Sequence, residues 1–402
     1  MKKNMKEFEY DFEKAFRITT KALHLNRAHP FIERNLFWCF QFLLILTLSV
    51  MTFVFTFNSL LFYDIPAGEI AEASKNGTMA IVSLTITFKY TFLLYNQNYI
   101  KRYIAIINKD YELSKGFVAE ERAIVIDYSR KGAKVSLYWL VATTATSILF
   151  PVKALVQMVY YHWEDEFRFV PMFDMRYPTT IEIMKNVPAM FCLLFLLCLM
   201  FDVYATTMYV GFDPLVPIFL THICGQLDIL SQRIMDIFSD ESNLNSQEVN
   251  YKLKCINVTL QDQYNMIKEI KSKFTFLYEF TMKTTTILLP LSMFQIVEDL
   301  QRRKLNLEFI SFFFATILHF YMPCYYSDML MDRSQKLRDA VYACGWEKRH
   351  NARARKTILL MLTRTTVPLA LSTVFYPICL DTFAEMCRQS YAIFNIMNAA
   401  EV

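Results

Sequence analysis

Residues 188–212 read PAMFCLLFLLCLMFDVYATTMYVGF, twenty-five positions carrying one charge, Asp202. A helix crosses the hydrocarbon core of a bilayer with about 20 mostly apolar residues, so this stretch reads as a membrane span. Working outward from it, comparable runs occur at roughly 36–57, 77–96, 134–157, 276–298 and 307–330. Composition points the same way: of 402 residues, 54% are hydrophobic and 16% aromatic, with 36 Phe and 23 Tyr. A soluble chain of this length carries fewer apolar residues. The seven Gly argue against glycine-rich nucleotide loops, and a net charge of +4 is too small to suggest a nucleic-acid partner.

Charge placement between the spans predicts orientation. Segments 1–35, 97–134, 213–275 and 331–356 hold 30 Lys and Arg together, whereas 58–76, 158–187 and 299–306 hold seven. The bias puts the N-terminus in the cytoplasm. The first 35 residues contain no apolar core of the length a secretory signal needs, so the first span is expected to direct insertion. After residue 356 the reading divides between one further span and two. Arg364, Pro368 and Pro377 interrupt 357–380. A central arginine costs about 3 kcal/mol on insertion scales, and a helix tends to stop before a proline. The expectation is therefore an amphipathic cytoplasmic helix over 347–366, a bend at 367–379 and a last span at about 380–399. The fold class is all-α: a polytopic membrane protein with seven transmembrane helices, N-terminus inside and C-terminus outside.

Two helices are expected to continue beyond the membrane. Leu215, Ile218, Phe219, His222, Leu227, Leu230, Ile234 and Ile237 recur at helical spacing. So do Leu253, Ile256, Leu260, Tyr264, Ile267, Ile270 and Phe274, after the polar linker SDESNLNSQEVN at 239–250. This pattern fits a hairpin covering the inner ends of the spans or a surface where subunits assemble. The chain then divides into a cytoplasmic N-terminal segment (1–35), spans one to four (36–213), the cytoplasmic extensions (214–275), spans five and six (276–331), a cytoplasmic turn with its amphipathic helix (332–379) and the final span (380–402).

Catalytic chemistry is not visible. No phosphate-binding loop, GxSxG or HExxH occurs, and no two of the six histidines stand i, i+4 on a helix, which argues against a metal-ligating helix. No cofactor, metal or enzymatic activity is expected. The nine cysteines form no CxxC and fall in or beside apolar runs, as small apolar residues do. Asn76-Gly77-Thr78 is a glycosylation sequon close to the membrane on the outer side. Charges inside spans invite functional suspicion: Lys89 and Asp202 are expected to pair across helices, Glu385 with Arg388 along one helix, and Lys153 and Lys283 to snorkel to the interfaces.

The last quarter of the chain carries a family likeness. Phe320 and Cys324 near the end of span six are followed by Ser334, Leu337, Ala340, Tyr342 and Trp346. Then come Pro368-Leu369, Phe383, Ser390-Tyr391 and Phe394. This ordered set resembles the insect odorant receptor pattern, and Lys89 late in span two fits it too. Insect gustatory receptors typically carry Thr-Tyr and, after five intervening residues, Gln; here the corresponding positions are Ser390-Tyr391 and Met397. The odorant receptor co-receptor has a large insertion between spans four and five that is missing here, so the resemblance is to the odour-tuned subunit.

The resemblance implies a ligand-binding subunit of a non-selective, odorant-gated cation channel in the dendritic plasma membrane of olfactory neurons. It also implies a co-receptor partner, four subunits around one pore, and a pore-lining last span. On that span Ser390, Phe394 and Met397 share one face and are the expected pore residues. A volatile odorant needs an aromatic pocket with few polar groups. Residues of that character in the outer halves of the spans are Val82, Thr85 and Ile86, then Ser147, Phe150 and Ala154, then Phe195 and Leu199, and lastly Phe312, Phe313 and Thr316. A gustatory-type channel is one alternative. A small-solute transporter is another, although no internal repeat supports it.

Overall fold

The computed structural model describes residues 11–239, 244–348 and 351–400. Residues 1–10, 240–243 of the polar linker, 349–350 of the expected amphipathic helix and 401–402 lie outside the described residues. Two short helices, α1 (Phe12–Ala15) and α2 (Arg17–Leu25), precede α3 (Leu36–Ser59), which passes through one π-helical turn into α4 (Ile65–Ala67). Then follow α5 (Ile70–Tyr95), α6 (Gln97–Ser114), α7 (Ala119–Trp163), α8 (Thr179–Met184), α9 (Pro188–Phe212) and α10 (Leu215–Phe238). The chain ends with α11 (Ser246–Gln301), α12 (Leu307–Ala343), α13 (Ala352–Arg364) and α14 (Leu380–Ala400).

Asparagine sets several of the starts. Asn35, Asn306 and Asn351 each accept a backbone N–H of the first turn of α3, α12 and α13. Asn245 does the same for α11 and makes a reciprocal box with Glu248. That box starts α11 at Ser246, so the second half of the expected linker is already helical.

Among the described residues, five helical segments are long and apolar enough to cross a membrane: α3 with α4, α5, α7, α9 with its continuation α10, and α12. The expected spans 276–298 and 380–399 are helical, in α11 and α14, but less apolar. A belt of large apolar side chains is exposed around the bundle, among them Leu43, Val50 and Val54 of α3, Val141, Ile148 and Leu155 of α7, Leu193 and Leu196 of α9, and Phe314 of α12. Such a belt suits lipid and not water.

Length shows that the bundle has a second part outside that belt. At 1.5 Å per residue, the 45, 56 and 37 residues of α7, α11 and α12 extend roughly 68, 84 and 56 Å, against roughly 30 Å of hydrocarbon. The surplus surrounds α10, which is buried along nearly its whole length among α7, α11 and α12. Charged ties hold this end. Arg233 on α10 grips Glu121 on α7 through two bonds of 2.7 and 2.9 Å. Tyr128 donates to Asp228 at 2.6 Å, and His222 meets Asp110 at 2.9 Å. Tyr99, Arg102 and Tyr103 of α6 converge on Glu269 of α11. Close approach also depends on glycine: a Cβ at Gly211 of α9 would stand 3.2 Å from the Leu23 backbone nitrogen, so α2 lies directly on α9.

Residues 365–379 are non-helical, as Pro368 and Pro377 predict. The strap is stitched to α12. Leu369 and Leu371 donate their N–H groups to the hydroxyls of Ser334 and Ser327, each at 3.1 Å, and Asp328 accepts the Leu380 N–H at 3.0 Å. Ser334 and Pro368-Leu369, which carry the family likeness, are thus in direct contact. The Asn76 sequon, whose use its closeness to the membrane already disfavours, is buried in α5, the Asn76 amide donating to Asp64 at 2.8 Å and Ser59 at 3.1 Å. The sequon is therefore closed to a glycan in this fold. All nine cysteines are free.

Candidate ligand pocket

Helical spacing assembles a cavity between α5, α7, α9, α11 and α12. On α7, Trp139, Thr143, Thr146, Ser147 and Phe150 form one stripe; on α9, Phe201, Asp202, Ala205, Thr206 and Tyr209; on α12, Phe312, Ala315, Thr316 and His319. Met79 and Val82 of α5, Leu288 of α11 and Phe173 of the α7–α8 connection close it around a volume of about 80 Å³. The wall is largely aromatic, and its hydroxyls are mostly engaged already. Thr143 and Thr316 donate to carbonyls of their own helices at 2.7 and 2.9 Å, and Thr146 bonds Ser311 of α12 at 2.8 Å. The Ser147 hydroxyl donates to the Asp202 carboxylate. The indole N–H of Trp139 is buried with no hydrogen-bond partner among the described residues. A fully buried donor left unmet costs about 1–3 kcal/mol, and Trp139 is one of the residues that line the cavity.

Below lies a buried polar knot. The Lys89 ammonium donates to Asp213 at 2.5 Å and to Nε2 of His319 at 2.6 Å, and lies 4.4 Å from the centre of the Tyr209 ring. With Nε2 accepting, His319 carries its proton on Nδ1, which faces the Thr285 hydroxyl of α11 at 3.4 Å. His319 and Tyr209 also line the cavity, so the knot joins its floor to α5, the α9–α10 corner and α11. The expected Lys89–Asp202 pair is not formed. Asp202 lies three turns before Asp213 on the same rod, and the Lys89 head reaches the deeper carboxylate. The other in-span charges are also paired: Lys153 of α7 with the buried Glu308 of α12, and, each along one helix, Lys283 with Glu279 at 3.1 Å and Arg388 with Glu385 at 3.2 Å.

Of the residues singled out by sequence, Val82, Ser147, Phe150, Phe312 and Thr316 line the cavity. Thr85 and Ile86 are buried on α5 beyond it, Thr85 bonding the Ile81 carbonyl at 2.8 Å. Ala154 is buried one turn past Phe150 on α7. Phe195 lines a separate outer cavity of about 110 Å³ with Phe191, Met172 and Tyr177. Leu199 packs on the core, and Phe313 stands edge-on to Phe314. Trp139, Phe201 and Tyr209 were not singled out; the aromatic stripe of α9 and the Trp near the middle of α7 were the available signals.

On the final helix, the stripe expected to face the pore is covered within this chain. Ser390 and Phe394 are buried, Ser390 donating to the Thr286 carbonyl of α11 at 3.2 Å, and Met397 is half-buried beside them. The open face of α14 carries Glu385, Arg388, Gln389, Tyr391, Asn395 and Ile396. The apolar stripe packs on α11 because that is where apolar burial is available, which leaves the polar stripe outward.

The sequence profile of the 7tm odorant receptor family matches residues 69–391. Among curated proteins of Drosophila melanogaster, odorant receptor 10a is 20% identical over 70% of each chain. Odorant receptor 2a is 30% identical over a stretch spanning 23% of each chain. The fold is similar to that of an insect olfactory receptor from Machilis hrabei in complex with eugenol, with a TM-score of 0.78 and 15% identity, covering 96% of this chain and 98% of that one.

Proposed function

Because the chain belongs to the insect odorant receptor family, we propose that it is the odour-binding subunit of a heteromeric, odorant-gated cation channel in the plasma membrane of olfactory neuron dendrites. The observation that carries this reading is the buried aromatic cavity with one unmet donor, Trp139 Nε1. It suits a small, mostly apolar molecule bearing one or two acceptor atoms. The relative solved with eugenol, an aromatic with hydroxyl and ether oxygens, is of that chemical class, and this supports the reading by analogy. No catalytic constellation is needed; the ligand's binding free energy would bias the packing of α5, α9, α11 and α12 around it.

The Trp139→Phe variant keeps the ring and removes the donor. Agonists with a carbonyl or ether oxygen should lose about 3- to 10-fold in half-maximal concentration, and hydrocarbon agonists should be unaffected. Equal responses of both classes to wild type and variant would move the pocket elsewhere.

The seven helices α3, α5, α7, α9, α11, α12 and α14 span the membrane with the α10 end in the cytoplasm, on this reading. The bias of Lys and Arg supports it, as do the charged ties around α10. Tags at the two termini of intact cells test it: antibody should reach the C-terminal tag alone, and labelling of the N-terminal tag would refute the orientation. The cytoplasmic extensions hold subunits together, the co-receptor among them, and the open polar face of α14 borders the pore.

A further inference from the structure

The N-terminal helices carry a cluster that the receptor reading does not use. Helix α2 ends at Leu25, and Arg27 takes a left-handed backbone (φ 51°). The N–H groups of Ala28 and His29 return to the Leu23 carbonyl at 2.9 and 3.2 Å. This reversal folds His29 back over His24, with ring centroids 4.1 Å apart. Glu13, on α1, approaches from the other side.

His29 is fully buried, and neither ring nitrogen has a hydrogen-bond partner among the described residues. Its Nε2 faces the Glu13 carboxylate at 3.8 Å, too far for a hydrogen bond. One potential ligand atom from each of Glu13, His24 and His29 lies within 4.8 Å of the other two. A buried imidazole with both nitrogens unmet requires an explanation, and an ion between these three groups supplies one.

We propose that Glu13, His24 and His29 form a binding site for a borderline divalent transition metal, Zn²⁺ being the best match. Two imidazoles and one carboxylate fit that class, whereas Mg²⁺ and Ca²⁺ prefer all-oxygen sets and Cu(I) prefers thiolates. Tetrahedral ligation at 2.0–2.1 Å brings donor atoms to roughly 3.4 Å from one another. Glu13 and His24 are exposed and free to close that gap, the stacked His24 ring tilting as it does so. A fourth position stays open to water. The ion would staple α1 and α2 to the turn before the first span. That turn is bonded onward by Trp38 Nε1 to the Arg27 carbonyl at 2.9 Å and by Gln97 to the Pro30 carbonyl at 3.0 Å.

The test is metal retention by the full chain purified in detergent, offered Zn²⁺ and desalted, with bound zinc counted by mass spectrometry and melting followed in parallel. Wild type should keep one zinc per chain and melt higher with Zn²⁺ than without. Glu13→Gln/His24→Ala should lose at least four-fifths of that zinc and its effect on melting while melting as wild type does without metal. His162→Ala, in the exposed last turn of α7, should keep it. If the double variant proves unstable, His24→Gln alone should weaken zinc binding about 10- to 100-fold. No retained zinc, or equal retention in wild type and the variants (an adventitious ion only), overturns the site. The readout is independent of odour response, so its failure leaves the receptor reading intact.

Discussion

Lys89 is almost fully buried at membrane depth, a position tolerable because Asp213 and His319 meet its ammonium. Breaking such a pair from one side leaves the other charge uncompensated, at a cost of about 3–5 kcal/mol, whereas replacing both by apolar groups of similar volume is often neutral. Lys89→Met should therefore sharply lower surface expression and melting temperature, and Lys89→Met/Asp213→Leu should recover most of both. A double variant no better than the single would show that the lysine does something other than neutralise Asp213. Sequence reading identified Lys89 as a charge needing a partner but chose Asp202. The two aspartates are eleven residues apart, roughly 16 Å along a helix, and depth along a neighbouring helix is not written in either residue. The same limit applies in the pocket. Val82, Ser147, Phe150, Phe312 and Thr316 were accessible from depth and character, but Phe312 and Phe313 differ by about 100° of helix rotation. Only packing decides that Phe312 faces the cavity.

At the level of elements, the spans were largely legible. Runs of about 20 apolar residues, Asn caps and the prolines of the strap each have a local cause, and the helices begin and end near them. Less legible was the direction in which α14 presents its faces. Its Ser390, Phe394 and Met397 stripe reads equally as a pore lining or as packing against α11, because a helix shows the same periodicity whichever face is covered. The structure covers that stripe. We therefore expect cysteines at Gln389 and Asn395 to react with a water-soluble thiol reagent in open channels, and cysteines at Ser390 and Phe394 to stay protected. Protection at 389 and 395 with reaction at 394 would restore the original pore face. The strap before α14 also gives the family pattern a physical meaning: Ser334 holds the Leu369 N–H, so the recurrent residues fix where the last helix begins.

On the scale of the whole molecule, the chain combines a lipid-exposed apolar belt, a pocket between five helices and a long helical end beyond the bilayer built around α10. Hydropathy made the class readable, and the charge bias supports the proposed orientation. The cluster of Glu13, His24 and His29 was not, because it depends on one left-handed residue that folds the chain back on itself. Nothing in the histidine spacing marked it. On the proposed reading, this chain binds the odour and a co-receptor completes the channel. The direct measurement is whole-cell current to an odour panel in cells expressing this chain alone, the co-receptor alone, or both. The pair should carry an odour-evoked, poorly selective cation current, and this chain alone should carry none. A full response from this chain by itself, or silence to every odour when both are at the surface, would contradict that reading.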